Sequence, residues 1–130
     1  MRSVDTNVLA RFLIRDDPVQ TEIARSVMAS DVAVTITVLL ETAWLLASRY
    51  GRSRAEVADA LSQVIEMSNI TVADESRIIW ALERMRRGAD LADMLHLVES
   101  RDASRFSTFD RSLNRRAGRD APIEIETLKA

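Results

Sequence analysis

Short apolar runs alternate along the chain with longer amphipathic segments, and this alternation restricts the fold more than any other feature. The first run ends at Val4, and the stretches 32–36, 70–72, 106–109 and 123–126 are short and β-branched or aromatic enough to be strands. Between them apolar residues return at helical spacing. Val8, Leu9, Phe12 and Leu13 make one such set, and Val19, Ile23, Val27 and Met28 make a second whose shared face is expected to point inward. Residues 38–50, then Val57, Leu61, Val64 and Ile65, then Ile78, Leu82 and Met85, then Leu91, Met94, Leu95 and Val98 continue the series. Strands separated by helices pack as a parallel sheet covered on both faces, which makes the fold class α/β.

Local signals mark where the helices begin and end. Asp17 before Pro18 suits an N-cap followed by proline at the first helical position. Ser53 with Glu56 has the spacing of a capping box, Asp74 precedes another helix, and Gly51 and Gly88 stand where left-handed C-caps are favoured. Only three glycines and two prolines occur, and no repeat or low-complexity tract interrupts the pattern. At 130 residues with 47% apolar content, the expectation is one compact domain spanning 1–130.

Composition removes several kinds of chemistry. Without cysteine there is no disulfide framework, no thiol nucleophile and no thiolate ligand, so any metal must be held by oxygen or by His96. No apolar run reaches the roughly 18 residues of a membrane span, and the N-terminus lacks the apolar core of a signal segment, so a cytoplasmic protein is expected. Net charge is −2, and all basic residues except Lys129 are arginine. Arginine offers a planar fork of donors suited to phosphate, although base composition can also produce the bias.

In open parallel sheets, ligands collect beyond the carboxyl ends of the strands. Asp5 follows the first strand, Asp110 follows the strand at 106–109, and Glu41 lies just past the first turn of the helix after 32–36. Topology alone therefore brings three acids to one sheet edge. Asp90 and Asp93 join them only if their helix aims its N-terminus the same way. Converging carboxylates repel one another and raise one another's pKa values unless a cation compensates them. Mg²⁺ and Mn²⁺ suit such oxygen ligands, and the chemistry indicated is metal-assisted phosphodiester hydrolysis. Each residue also has a structural role open to it: helix caps for Asp5, Asp90, Asp93 and Asp110, and a solvated helix face for Glu41. His96 is expected to be half-buried and hydrogen-bonded rather than a ligand, and Trp44 and Trp80 to be core or interface residues. Arg111, Arg115, Arg116 and Arg119 follow directly on Asp110 and are the best candidates for contacts to a nucleic-acid backbone.

With these residues in view, the chain resembles the PIN-domain ribonucleases, and among them the VapC-type toxins of bacterial toxin–antitoxin pairs. The resemblance runs from end to end through four motifs in order: Val4-Asp5-Thr6-Asn7, Glu41, Ala92-Asp93-Met94-Leu95-His96-Leu97 and Thr108-Phe109-Asp110. It implies a three-layer α/β/α domain with a central parallel sheet of four to five strands. It implies an acidic metal-binding quartet of Asp5, Glu41, Asp93 and Asp110, with Asp90 beside it and with Thr6, Asn7 and Thr108 in support. It further implies Mg²⁺ or Mn²⁺ as cofactor, RNA as substrate contacted by Arg111, Arg115 and Arg116, a homodimer, and a cognate antitoxin that brings DNA only indirectly. The polar Ser107 ahead of the last acid, and the arginines after it, depart from the family's usual pattern.

Other functions remain open beside that resemblance. A PIN-domain nuclease that processes RNA without being a toxin, or a module that binds RNA or an antitoxin without cutting, would carry the same residues. A phosphotransfer domain of the receiver or haloacid-dehalogenase type needs a lysine near the phosphoryl group. The only lysine is Lys129, and no second aspartate stands two residues after Asp5.

Overall fold

The computed structural model describes residues 1–130, which divide into two compact units, Met1–Glu75 and Ser76–Ala130. In the first, β1 (Arg2–Ser3), α1 (Thr6–Ile14), α2 (Pro18–Met28), β2 (Val32–Ala33), α3 (Ile36–Ser48), α4 (Arg54–Glu66) and β3 (Ile70–Thr71) follow in sequence. The three strands form one parallel sheet in the order β1-β2-β3, with Arg2 opposite Val32 and Val32 opposite Ile70. Each strand-to-strand step passes through a helix pair, as parallel pairing requires.

Asn69 pins this sheet at one end. Its Nδ2 donates to the carbonyls of Met28 and Ser30, both at 2.7 Å, so the turn into β3 is tied to the turn into β2. Leu9, Met28, Val32, Leu39, Leu46, Leu61 and Ile65 are fully buried and form the unit's core. The local signals act where expected: Asp17 caps α2 ahead of Pro18, and Ser53 with Glu56 closes a reciprocal capping box on α4.

The inward face read for α2 is only in part the one buried: Met28 lies in the core and Val27 is half-buried, but the rest of the face differs. On α2 the buried residues are Thr21, Ala24 and Met28, whereas Val19 and Ile23 are 70% and 61% exposed. Thr21 and Ala24 are small enough to let α2 lie close to α1, where Thr21 Oγ1 donates to the Arg11 carbonyl. Arg11 fixes the turn further through Asp16 at 2.6 Å and Gln20 at 2.8 Å. Trp44, expected in the core or an interface, is 55% exposed on α3. The expected strand at 32–36 stops at Ala33, because the Thr35 hydroxyl accepts from the Val38 N–H and starts α3 two residues before position 38.

The second unit comprises the rest of α5 (Glu75–Arg86), then α6 (Leu91–Glu99), β4 (Phe106–Thr108), α7 (Leu113–Ala117) and β5 (Ile125–Thr127). β4 and β5 are parallel, with Phe106 opposite Ile125 and Thr108 opposite Thr127. Five parallel strands are thus present, in one ladder of three and one of two. The last strand begins at Ile125 rather than at 123, where Ile123 is instead buried in the approach to it. Ile78, Leu82, Met94, Leu97 and Val98 are the fully buried residues around which this unit packs.

Candidate active site

Asp5 follows β1 and is the N-cap of α1. Its backbone is extended, and its Oδ1 accepts from the Val8 N–H at 3.0 Å. One carboxylate oxygen satisfies an orphan helix donor and the other is left for a ligand. Thr6 and Asn7 form the first turn of α1; Asn7 is exposed and lines a groove of ≈ 170 Å³ with Val8, Arg11, Ile23 and Val27. Glu41 is exposed on α3, with no hydrogen bond or ion pair to another side chain.

In the second unit, Asp90 is the N-cap of α6, its Oδ1 accepting from the Asp93 N–H at 3.1 Å. That bond fixes the backbone of Asp93, whose half-buried side chain has no donor of its own. Burial pushes the Asp93 carboxyl above its usual range, and the charges of Asp90 and then Asp110 push it the same way, against weaker opposing effects of His96 and Arg116. His96 itself is exposed rather than half-buried, because it stands on the opposite side of α6 from the apolar stripe.

Asp110 is held differently. Its Oδ1 accepts from the Ser112 N–H at 2.9 Å and from the Ser112 hydroxyl at 2.8 Å, while its own N–H donates to Thr108 Oγ1 at 3.0 Å. These bonds stabilise the ionised form, so Asp110 sits below the ordinary carboxylate range, the Ser112 N–H contributing most. Asp93 is therefore the acid that resists charge and Asp110 the acid that keeps it. Arg111, Arg115 and Arg116 are exposed on and beside α7, and the Arg116 carbonyl accepts from Arg84 Nε at 2.7 Å.

No three acidic or histidine side chains converge closely enough to form a ready-made metal cage. The donor set nonetheless fits a hard divalent ion. Mg²⁺ is commonly held by one or two carboxylates, with water and substrate phosphate oxygens filling the remaining positions. Asp93 and Asp110 supply two carboxylates within electrostatic reach of each other, and a cation between like charges removes the repulsion that raises Asp93.

Sequence reading passed over two residues in this unit. Ser112 had a signal, since an acceptor followed two positions later by serine is the spacing of an Asx turn. Arg84 had none, because its partner lies 32 residues away.

Comparison with known proteins gives one family match: a model described as the PIN domain fits residues 3–119, which reach into both units. No curated protein and no solved structure matches the chain.

Proposed function

Because the chain belongs to the PIN-domain family, a family of nucleases, we propose that it is an Mg²⁺- or Mn²⁺-dependent endoribonuclease, and that it acts as the toxin of a toxin–antitoxin pair. The observation that carries the enzymatic part is Asp93: half-buried, without a donor, and beside two further carboxylates. A carboxyl raised by burial and by neighbouring charges is a candidate partner for a cation or a proton, and its place in the first turn of α6 offsets only part of its cost.

Hydrolysis is assigned to Asp5, Glu41, Asp93 and Asp110, the four acids of the family motifs. Asp93 and Asp110 would hold the ion, and Asp5 and Glu41 enter through their motifs alone. A bound divalent ion supplies Lewis-acid activation of water and neutralises charge developing on the phosphoryl oxygens. The chain's own groups prepare for this. Asp90 fixes the turn that presents Asp93, Thr108 and Ser112 fix the loop that presents Asp110, and the Asp5 cap leaves one oxygen unengaged. Arg111, Arg115 and Arg116, exposed next to Asp110, meet the RNA backbone.

Support for a protein partner comes from apolar surface. Val19 and Ile23, one turn apart on α2, and Trp44 on α3 are exposed, and a partner's surface would bury them. A cognate antitoxin and a second copy of the chain are the partners proposed. Location in the cytoplasm belongs to the same reading; no helix is long and apolar enough to cross a membrane.

The test is cleavage of a randomised oligoribonucleotide pool by purified, antitoxin-free protein with and without Mg²⁺ or Mn²⁺. Cleavage that needs the ion and disappears in Asp93→Asn is expected. Equal cleavage by wild type and Asp93→Asn, or none by either, refutes the enzymatic reading. Growth arrest on expression, relieved by an antitoxin encoded beside the gene, tests the toxin role separately.

A further inference from the structure

Helix α7 is five residues long, far below the length at which a helix persists in water by itself. Ser112 at its N-cap makes no side-chain capping bond. What holds it in place is therefore tertiary. Leu113 and Ala117 are buried on one side, and the C-terminal end is gripped by Arg84 from the last turn of α5.

The grip has two parts. Arg84 Nε donates to the Arg116 carbonyl at 2.7 Å, satisfying one of the carbonyls that a helix end leaves unpaired. The rest of the guanidinium lies against Gly118. A Cβ placed on that glycine would be 3.0, 3.0 and 3.2 Å from Arg84 Cζ, Nη1 and Nη2. Three near-equal distances to three atoms of one plane arise only when the point lies over the face of that plane. The Arg84 guanidinium thus presents its face to the space that a side chain at position 118 would occupy. Gly118 also has φ +77°, so both its conformation and its missing side chain are required there.

The segment held in this way contains Arg115 and Arg116. The charge of Arg116 acts favourably on both Asp93 and Asp110, so it is within electrostatic reach of each. Arg84 itself is half-buried, and its Nε is committed to backbone.

We infer that Arg84 is a positioning residue: by binding the Arg116 carbonyl and filling the side-chain space at Gly118 it holds Arg115 and Arg116 beside Asp110 for the RNA phosphates. This rests on the ribonuclease reading above. Arginine is required rather than any cation, because lysine has neither the Nε donor at that position nor a planar group to fill the space beside Gly118.

The experiment compares wild type with Arg84→Ala, Arg84→Lys, Arg116→Ala and the Arg84→Ala/Arg116→Ala double variant, all checked for folding by thermal denaturation. Trypsin nicking after Arg115 and Arg116 reads the clamp without reference to RNA. It accelerates in both Arg84 variants if the clamp exists, and an unchanged rate overturns the inference. Steady-state cleavage of the oligoribonucleotide pool reads the consequence. KM rises severalfold in both Arg84 variants with kcat within about twofold, since uniform binding and not chemistry is lost. The salt slope of binding falls by about 0.7 for each phosphate contact that Arg115 or Arg116 loses on a single strand. The double variant loses less than the two single losses combined, because Arg84 acts in part through the Arg116 side chain. Additive effects, full rescue by lysine, or a loss confined to kcat overturn the positioning role. Should Arg84→Ala fail to fold, Arg84→Lys carries the same comparisons. Absence of cleavage by wild type defeats the ribonuclease reading and the RNA role together, while nicking still decides the clamp.

Discussion

Replacing Asp93 by asparagine should make the metal-free protein slightly more stable, and the size of the effect can be bounded from the structure. Two contributions oppose each other. Asp93 stands in the first turn of α6, where a negative charge gains about 0.3–1 kcal/mol from the helix dipole. Against this stand partial burial and two like charges, Asp90 and Asp110, and the carboxyl is raised overall, so the unfavourable side prevails. Because the group is only half-buried, solvent screens what remains, and a net gain of about 0.5 kcal/mol is expected for Asp93→Asn at neutral pH. For a domain of this size that is a rise in Tm of roughly 2 °C. The pH dependence has a definite sign. A carboxyl raised by folding costs stability as pH climbs through the interval from its ordinary value to its raised one. The advantage of Asp93→Asn is therefore full above that interval and vanishes below about pH 4, where both states are protonated. Divalent metal reverses the order: at ten times Kd a bound ion adds about 1.4 kcal/mol to wild type, and the variant lacks that gain. The assay is thermal denaturation of both proteins from pH 3 to 8, with EDTA and with Mg²⁺. A loss of more than about 0.5 kcal/mol in EDTA at neutral pH would show that Asp93 is chiefly a helix-stabilising residue, and the reasoning fails.

Three further outcomes are expected. Asp5→Asn keeps the bond to the Val8 N–H, so stability in urea changes by less than about 0.5 kcal/mol while RNA cleavage is lost; Asp5→Ala loses both and costs about 1 kcal/mol. Ser112→Ala removes one of the two bonds to Asp110 Oδ1, so the carboxyl moves back up toward its ordinary value. Stability that Asp110 contributes above its ordinary range is then lost at higher pH than in wild type, which a carboxyl NMR titration reads directly. Leu97→Ala, at a fully buried position in α6, should cost about 2–4 kcal/mol by chemical denaturation; a cost below about 1 kcal/mol means that the core around α6 is loosely packed.

What could be read from the sequence was what a few neighbouring residues decide. The caps at Asp17, Ser53 and Asp90 are made between residues three apart, and they stand in the structure as their spacing predicts. The placement of Asp5 and Asp110 just past strands follows from the same short-range pattern. The buried face of α2 followed only in part, at Met28. Val19 and Ile23 compete with Thr21 and Ala24 for the inward side, and small residues win where two helices must approach closely. That Trp44 lies outside the core could not be read either, since helix α3 is apolar over most of its circumference and periodicity does not select its inner side. The Arg84 clamp is beyond any local rule, because both of its partners are distant in sequence.

Parallel pairing also sets the order in which the acids can be put in place during synthesis. Arg2 waits for Val32 before β1 has a partner, and Phe106 waits for Ile125 before β4 has one. No hairpin offers an earlier, local substitute, and chain entropy must be paid over each intervening stretch before the ladder repays it. The helices can form as they emerge, at about 5–20 residues per second, but Asp5 gains a fixed strand beneath it only after residue 32 has been made. Asp110 is later still. A chain cut short before residue 125 contains the segments of α1 through α7 but leaves β4 without its partner strand. Among the candidate acids, Asp110 is the last to have its supporting strand completed.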